Sequence, residues 1–366
     1  MRRYVASDLK DMNRQTVYNL LASVKEISRA EISRLTGISV PTVIKIINHF
    51  ERLGFISFKG EGKSKLGRKP KMLRFNKNAA FSIGINVEGD QVTIGVVDLI
   101  GDIIRSESFK VVPDFVSLLE NHLSAHIKRV IKHSHIPTEK IMGVGIGVPG
   151  SVSPDRGIIN VAPLVGIKEQ TDISPLIEEL ESKLNLPVRI EKDVNAAAIG
   201  EFVHRRNPSN QNLVYISLGT GVGAGLILNG RLHRGVNSLA GEIGYLTFDP
   251  TITIDSSAPG WLESRIGYHT FALDSDSFSI VHKILDDLSL AIAAISTILD
   301  VEHIVVGGIG AKQLGSILLD ALNAKVSRLC LKPIQCVEPV CPDPVVVGTA
   351  WIITDTRLSQ LLDGSI

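Results

Sequence analysis

The chain has 366 residues, of which 44% are hydrophobic and 21% are charged, and its formal net charge at pH 7 is +1. This composition is typical of a folded globular protein of two or three domains and excludes a disordered chain. The first residues lack the apolar core of a secretion signal, and no uncharged run is long enough to cross a bilayer. We therefore expect a cytoplasmic protein without a membrane partner.

Charge is distributed very unevenly along this chain. Residues 1–77 contain 17 Lys and Arg against 6 Asp and Glu, a net charge of +11. Residues 78–366 contain 22 basic and 32 acidic residues, a net charge of −10. Such asymmetry predicts a polyanionic partner for the N-terminal end alone.

The segment 29–56 has the pattern of a helix, a tight turn and a second helix. Gly37 permits a sharp end to the first helix, Ser39 stands where an N-cap belongs, and Pro41 is tolerated in a first turn. The second helix, 40–53, directs a set of apolar residues to a core: Val43, Ile46, Ile47 and Phe50. From its other face we predict contacts with a DNA major groove by Ser39, Pro41, Thr42, Lys45 and His49. The pattern by itself also fits a helical hairpin with no DNA-binding role.

The flanking residues favour the DNA-binding interpretation. Two short strands, 54–58 and 72–75, enclose the basic, glycine-rich segment GEGKSKLGRKPK at 60–71. A further amphipathic helix is predicted at 14–24. This arrangement is typical of a winged helix, whose wing would place Arg68, Lys69 and Lys71 against phosphates or a minor groove.

From Ala80 onward, the pattern predicts two successive units of antiparallel strands followed by alternating strands and helices. The predicted strands are 81–87, 92–98, 103–109, 141–148, 188–191, 213–218, 225–228, 231–233 and 303–306. The predicted helices are 116–133, 173–184, 194–204, 281–299 and 314–324. We expect two similar α/β lobes with a ligand cleft at the carboxyl ends of their strands.

Three features of the second part are candidates for that cleft. The loop 219–223, GTGVG, follows a strand, and its backbone N–H groups either cradle an anion or form an ordinary β-turn. Asp193 lies between a strand and a helix, where a carboxylate serves as an N-cap, a sugar-hydroxyl acceptor or a general base. Glu242 follows the small residues Ala240 and Gly241, which allow a ligand to approach closely.

Four segments in this order resemble the ROK family of repressors and sugar kinases. They are GVGIGVPGSVSPDRGIINVAPL at 143–164, EKDVNAAAIGE at 191–201, VYISLGTGVGAGLILNGRLHRGVNSLAGEIG at 214–244 and HIVVGGIG at 303–310. The resemblance implies an N-terminal winged helix-turn-helix followed by a two-lobed α/β fold of the actin/hexokinase type, with a sugar between the lobes. The corresponding domains are 1–77, 78–192 and 193–366, with a C-terminal helix that returns to the first lobe.

The resemblance also implies roles for individual residues. Asp193 matches the catalytic base and sugar ligand, and Glu242 and Glu263 match glutamates of the sugar-binding motifs. Lys192 and Tyr245 replace the usual Asn and His, and we expect both at the effector site, where Lys192 pairs with Asp193 or contacts an anionic effector. The phosphate-binding loop of the family corresponds to Gly219, Thr220 and Gly221.

Two departures from the family pattern argue against phosphorylation and against a metal. At the first strand turn, Asn86 replaces the usual Asp, and Glu88 and Asp90 add negative charge where a nucleotide phosphate would bind. The cysteine cluster of the family zinc site is replaced by IDSSAPGWLESRIG at 254–267. We therefore predict degenerate phosphate loops, no structural zinc and no cofactor.

The chain has three cysteines: Cys330, Cys336 and Cys341. An odd number argues against a disulfide framework, and the spacing lacks the paired CxxC pattern of a metal site. Buried thiols are the favoured interpretation and a metal site is the alternative.

Together these observations predict a sugar-responsive transcriptional repressor of carbohydrate-utilisation genes rather than an enzyme. We expect it to bind a palindromic operator as a homodimer or tetramer, because paired half-sites require paired recognition helices. The alternative is a sugar kinase with residual activity and a DNA-binding extension. An activator is a third possibility, since the fold does not determine the direction of regulation.

Overall fold

The computed structural model describes residues 6–61, 71–154, 157–206, 211–219, 221–253, 258–267 and 276–363. These residues form an N-terminal winged helix followed by two α/β lobes, each built on a twisted sheet. Each of these three parts has a hydrophobic core of its own, and additional apolar clusters join them.

The winged helix contains three helices and a small sheet. Its helices are α1 (Ala6–Ser23), α2 (Arg29–Thr36) and α3 (Val40–Arg52). Its strands, in the order β1-β3-β2, are β1 (Ile27–Ser28), β2 (Ile56–Glu61) and β3 (Lys71–Phe75). Helix α1 begins eight residues before the predicted segment. Strand β1 was not predicted, because two residues carry no recognisable alternation.

Local capping explains the sharp turn between α2 and α3. The Ser28 hydroxyl accepts from the Glu31 N–H while the Glu31 carboxylate accepts from the Ser28 N–H, which forms a capping box at the start of α2. Gly37 ends α2 in the left-handed region, with φ of 71°. The predicted core residues of α3 are confirmed, as all four are buried. On α2, Ile32 is buried and Leu35 is 56% exposed.

The first lobe has a five-stranded sheet in the order β11-β7-β4-β5-β6. Its strands are β4 (Phe81–Glu88), β5 (Gln91–Asp98), β6 (Ile103–Lys110), β7 (Ile141–Val148) and β11 (Val188–Lys192). A small second sheet joins β8 (Ser151–Ser153), β9 (Ile158–Val161) and β10 (Thr171–Asp172). The helices are α4 (Phe115–Ser117), α5 (Leu123–Ser134) and α6 (Ser174–Leu184), with a π-helical turn at Leu118–His122 between α4 and α5.

The second lobe repeats this plan with a sheet in the order β14-β13-β12-β15-β16. Its strands are β12 (Leu213–Leu218), β13 (Val222–Leu228), β14 (Arg231–Leu232), β15 (His303–Gly307) and β16 (Gln335–Val337). Its helices are α8 (Trp261–Ile266), α9 (Ser277–Leu299) and α10 (Gly308–Val326). Gly315 interrupts α10 with non-helical angles. The helix predicted from residue 314 therefore corresponds to the part of α10 after this break.

Two helices connect the lobes. Helix α7 (Asp193–Arg205) packs on β12 and β13 of the second lobe, and α11 (Pro344–Asp363) packs on β4 and β7 of the first. The two helices also contact each other at very short range, through Gly200 and Gly348. A Cβ atom at Gly348 would overlap the carbonyl oxygen of Ala196, and one at Gly200 would overlap that of Pro344. Only glycine allows the two backbones to approach this closely.

The winged helix is packed against the first lobe and α11. Its core is continuous with Leu99, Met142, Ile353 and Leu358 of the large domain. The buried Tyr18 of α1 donates its hydroxyl to the carbonyl of Leu99 at 3.0 Å. This contact fixes α1 to the turn between β5 and β6.

No described helix is both long and apolar enough to cross a membrane. The favoured interpretation of the cysteines is consistent with their positions, because Cys336 and Cys341 are buried and Cys330 is partly buried. Burial raises the pKa of the Cys336 and Cys341 thiols to about 12. These two thiols are therefore protonated and unreactive at neutral pH.

Candidate functional site

The outer face of α3 is available to a partner. Its buried side faces the winged-helix core, whereas Pro41, Lys45 and Asn48 are exposed on the opposite side. The hydroxyls of Ser39 and Thr42 lie 2.8 Å apart and bond each other, and Thr42 is partly buried. Asn48 was not among the predicted contacts, although its spacing of three residues from Lys45 placed it on the same helix face.

His49 lies at the edge of the exposed face of α3 and is partly buried. It was predicted to contact the DNA groove, but the structure places its Nε2 atom 3.1 Å from the carbonyl oxygen of Leu361 in α11. Its ring is partly buried and lies at a tilt against Phe50. Residue 49 lies on the boundary between the buried and exposed faces of α3. The packing of α11 therefore determines what the His49 ring contacts. The groove contact of His49 therefore stays a prediction, and its ring nitrogen already has a partner within the chain.

The base of the wing carries a cluster of two cations around one aromatic ring. Phe58 of β2 is 39% exposed. The guanidinium carbon of Arg29 lies 5.5 Å from its ring centroid, and the Lys71 ammonium lies 5.8 Å from it. These cation–π contacts hold two positive charges beside the start of α2. The other predicted wing residues, Arg68 and Lys69, lie outside the described residues.

The candidate effector site begins where β11 ends and α7 starts. Lys192 is the last residue of β11, its side chain is 9% exposed, and its ammonium lies 2.7 Å from Glu242 Oε1. The structure thus selects a partner that the sequence analysis had not considered for Lys192, which was expected to pair with Asp193 or an anionic effector. Two predicted effector residues from different parts of the chain are joined by this ion pair.

A second ion pair lies beside the first and was missed in the sequence. The buried Glu191 accepts from Arg234 at 2.6 and 2.9 Å, and also from the Asn195 side chain at 2.9 Å. Both ion pairs connect the β11–α7 corner to the segment after β14. The signal for Glu191 was available, because charged residues at a strand's carboxyl end often lie at a ligand cleft.

Asp193 is the first residue of α7, and its carboxylate accepts from the N–H of Val194 at 2.7 Å. Loss of contact with water raises its pKa from 3.8 to about 6, although the positive charge of Lys192 opposes this increase. The negative charges of Glu88 and Glu242 add to the increase. A carboxyl group with a pKa near 6 is suited to accept a proton from a sugar hydroxyl.

The glycine-rich loop and the second glutamate motif meet at the same site. The N–H of Gly219 donates to the carbonyl of Gly221 at 3.0 Å, which makes this loop a tight turn. A Cβ atom at Gly221 would lie 3.6 Å from Glu263 Oε1, and one at Gly244 would lie 2.8 Å from Glu263 Oε2. Glu263 therefore packs directly against this loop. Thr220, between the two glycines, lies outside the described residues.

Tyr245 lies at the end of a short 3₁₀ turn, Ile243–Tyr245, that follows Glu242. Its hydroxyl donates to the carbonyl of Ala258 at 3.3 Å, which connects the turn to the segment before α8. This places Tyr245 close in sequence and space to the Lys192–Glu242 ion pair.

The predicted nucleotide end of the cleft is acidic. Asn86 lies in β4 between Thr93 of β5 and Gly147 of β7, and Glu88 ends the strand. Asp343 precedes α11, and its carboxylate accepts from the Val346 N–H at 3.2 Å. Burial raises the pKa of Asp343. Asp90, in contrast, faces solvent and pairs with Lys110 at 3.4 Å.

Helix α7 runs from the candidate effector site to the turn between β5 and β6, which contacts the winged helix. Its first residue is Asp193, and Arg206 follows its last turn about 20 Å away, at 1.5 Å per residue. Arg206 donates to Asp102 Oδ1 at 2.7 Å and to the Ile100 carbonyl at 3.1 Å. The same turn between β5 and β6 holds Tyr18 through Leu99.

Comparison with known proteins is consistent with this geometry. Residues 82–258 match the model of the ROK family. The chain is 35% identical over 244 residues to a putative xylose repressor of Caldicellulosiruptor sp. (strain Rt8B.4), a match that covers 66% of this chain and 60% of that protein. It is 32% identical over 241 residues to the xylose repressor of Bacillus subtilis (strain 168), covering 66% and 62%. The chain thus spans about three-fifths of the length of these curated relatives.

Kinases and a regulator of the same fold are also similar. A glucokinase of Halalkalibacterium halodurans is 25% identical over 322 residues, which cover 76% of this chain and 96% of that enzyme. The crystal structure of a ROK family transcriptional regulator, a homologue of the E. coli MLC protein, superposes with a TM-score of 0.77 at 20% identity over 97% of this chain and 98% of that one. This likeness shows a shared fold over nearly the whole length of both chains. The segment 82–258 thus forms a domain of the ROK family.

Proposed function

We propose that this protein is a sugar-responsive, DNA-binding repressor of carbohydrate-utilisation genes that acts in the cytoplasm. The observation that carries the proposal is the direct packing of a basic winged helix on a ROK domain whose cleft retains Asp193, Glu242 and Glu263. The similarity to xylose repressors supports regulation by a pentose or a related sugar.

The winged helix supplies the DNA-binding function. Lys45 lies on the exposed face of α3, and Arg29 and Lys71 are held around Phe58 at the base of the wing. Helix α3 would enter the major groove while the cations contact phosphates. A palindromic operator requires two such helices, so the active form would be a homodimer or a tetramer.

The cleft supplies the effector site. Carboxylates of Asp193, Glu242 and Glu263 accept hydrogen bonds from sugar hydroxyls, and Lys192 donates one. Lys192 lies at the end of β11, and Glu242 lies in the segment after β14. A sugar bound between them would change how tightly these two segments are joined, and so favour one arrangement of the lobes.

Regulation then requires the DNA-binding affinity to differ between the two arrangements. We infer that α7 transmits the change, because it begins at Asp193 and ends at Arg206, which holds the turn between β5 and β6. That turn is bonded to Tyr18 of α1. A displacement of α7 along its axis would therefore reposition the winged helix.

We further propose that the protein does not phosphorylate its sugar. Asn86 stands in place of the phosphate-loop Asp, and the nearby carboxylates of Glu88 and Asp343 would repel a nucleotide triphosphate unless a metal ion neutralised them. The competing function is a residual sugar kinase. The raised pKa of Asp193 and the similarity to glucokinases favour that alternative.

A ligand screen tests the proposal. Melting temperatures of the full chain would be measured with xylose, glucose, N-acetylglucosamine, glucose 6-phosphate and ATP with Mg²⁺, since a bound ligand stabilises by mass action. We expect one neutral sugar to raise the melting temperature and ATP to leave it unchanged, and we expect that sugar to release the protein from its operator. A rise with ATP together with consumption of ATP would establish the kinase instead.

A further inference from the structure

Helix α3 exposes apolar side chains on the edge that a DNA-reading helix presents to the groove. Val40 is 46% exposed and Ile44 is 37% exposed, although the core of the winged helix is already filled by other residues of α3. Asn48 is exposed one turn further along. Residues 40, 44 and 48 are spaced four apart and therefore form one stripe along the helix.

The stripe differs from the contacts that the sequence alone suggested. The hydroxyls of Ser39 and Thr42 are bonded to each other, and His49 is directed to α11. The exposed parts of Val40 and Ile44 do not stabilise the winged helix, because apolar surface contributes to stability only when it is buried. A groove-facing role explains their exposure, because the first two turns of a recognition helix are the part that enters the major groove.

The surroundings of the stripe identify its partner as DNA rather than an apolar protein surface. Lys45 is exposed beside it on the same helix, and Arg29 and Lys71 are held at the base of the wing. Residues 1–77 carry a net charge of +11. An apolar stripe within a strongly basic face matches the major groove, where apolar methyl groups lie between two lines of phosphates.

We propose that Val40 and Ile44 contact the C5 methyl groups of thymines in the operator half-site and that Asn48 bonds an adjacent adenine. Thymine presents the one apolar group in the major groove of unmodified DNA, and an Asn amide pairs with the N6 and N7 atoms of adenine. The inference rests on the proposed function and specifies the class of sequence that α3 reads.

Deoxyuridine tests this directly, because it pairs like thymine and lacks only the methyl group. Duplexes bound by the full chain would be selected from a random-sequence pool and then resynthesised with deoxyuridine in place of thymidine. We expect affinity to fall roughly fourfold for each buried methyl group that is removed. Methyl groups outside the contacted positions should have no effect, which single replacements would locate.

Two variants assign the effect to the stripe. Ile44→Ser should bind the thymine and uracil duplexes with equal affinity at the position that Ile44 contacts, and Asn48→Ala should lose its preference for adenine at one position. Ile298→Ser is the matched control, since Ile298 is 79% exposed on α9 of the second lobe. The preference of this control for thymine over uracil duplexes should equal that of the unmodified chain.

The outcomes separate this inference from the proposed function. Sequence-selective binding with equal affinity for thymine and uracil duplexes would overturn the inference and leave the repressor proposal intact. Binding to no DNA at any salt concentration would overturn both. If the stripe instead contacts a second copy of the protein, Ile44→Ser should change the oligomeric state and leave the preference for thymine over uracil unchanged. That result also overturns the inference.

Discussion

Asp193, which we propose as a sugar ligand, lowers the stability of the folded chain at neutral pH. Its carboxylate lies where little water reaches it, and the pKa of the group is raised to about 6 in the folded chain. Folding therefore favours the protonated form. The contribution of this group to stability is fully present below its ordinary pKa of 3.8 and is lost as the pH rises through about 6.

Replacing Asp193 with Asn should remove this loss. We expect the variant to become more stable relative to the unmodified chain as the pH rises from about 4 to about 7, by at most about 3 kcal/mol. Urea unfolding of both proteins at the two pH values measures the difference. A constant difference across this range would show that Asp193 titrates normally. The same variant should lose the melting-temperature shift caused by the sugar, since it lacks the carboxylate acceptor.

The Lys192–Glu242 ion pair should respond differently to single and double substitution. Lys192→Met leaves the Glu242 carboxylate without its 2.7 Å partner, and we expect a loss of about 1–3 kcal/mol. Adding Glu242→Gln removes the isolated charge and should restore most of that stability. Thermal unfolding of the four proteins in the cycle gives the interaction energy.

Sugar binding distinguishes a structural from a functional role for this pair. We expect both the single and the double variant to lose the response to the sugar, because each lacks the Lys192 ammonium that we propose as a donor to a sugar hydroxyl. If the double variant recovers both its stability and its response to the sugar, the ion pair only joins β11 to the segment after β14 and does not bind the sugar.

At the scale of whole elements, the contact between α7 and α11 decides how the lobes are joined. Gly200 and Gly348 allow the helices to meet backbone to backbone, and Gly84 and Gly145 similarly admit α11 against β4 and β7. A side chain at any of these positions would meet main-chain atoms, which cannot move aside as a flexible side chain can. The packing of α11 is therefore intolerant of added volume.

Gly348→Val tests this intolerance. Its Cβ would overlap the carbonyl of Ala196, and we expect a loss of about 3 kcal/mol or more in stability or a failure to accumulate as soluble protein. Thr356→Ala, at an exposed position of the same helix, is the control and should change the melting temperature very little. Equal stability of the two variants would contradict the close packing of α7 and α11.

At the scale of the whole molecule, the communication that we propose depends on the junction between α1 and the turn of residues 99–102. Tyr18 packs edge-on against Phe50, Phe55 and Phe75, with ring centroids 6.5, 6.2 and 5.2 Å away, and its hydroxyl bonds Leu99. The rings hold Tyr18 in the winged-helix core while the hydroxyl reaches the large domain. The packing of the ring and the hydrogen bond of the hydroxyl can therefore be tested separately.

Tyr18→Phe removes the bond and keeps the ring. We expect a stability loss of about 1 kcal/mol, unchanged affinity for DNA without sugar, and a weaker release of DNA when the sugar is added. Ile292→Val, in the core of the second lobe, supplies a comparable loss of stability away from the junction. Operator affinity would be measured with and without sugar for both. An equal response in the two variants would show that this bond does not transmit the effector signal.

The wing makes a prediction of its own. Replacing Arg68 and Lys69 with Ala should weaken binding to all duplexes and lower the slope of log affinity against log salt by roughly 1–2. The variant with Lys128→Ala and Lys132→Ala, two exposed residues of α5, removes the same charge from the first lobe and should leave the slope unchanged. Equal slopes for the two double variants would mean that the wing does not contact phosphates.

Local sequence patterns were sufficient to predict many of the helices and strands. The strands 141–148 and 213–218 have the predicted bounds, because both are almost entirely buried apolar segments bordered by turn residues. Helix α2 likewise begins and ends where Ser28 and Gly37 cap it. Elements with few residues, such as β1 and the small sheet of β8, β9 and β10, were missed because two to four residues show too little alternation to predict a strand.

The site was predictable in its members and not in their pairing. Lys192, Asp193 and Glu242 were identified from motifs, but the choice of Glu242 as the partner of Lys192 required the segment after β14 to fold back on β11. Arg234 and Glu191 were missed for the same reason. The contact of His49 with Leu361 could not be predicted either, since Leu361 is more than 300 positions away along the chain.

The sequence by itself determined the basic winged helix, the two α/β units and the residues that carry the chemistry, because charge, periodicity and capping are properties of neighbouring residues. Only the tertiary structure decided which charges pair, which face of α3 is free and how α7 and α11 join the cleft to the winged helix. Those outcomes depend on contacts between segments far apart in the chain, where burial and steric fit select one arrangement among many that local patterns allow.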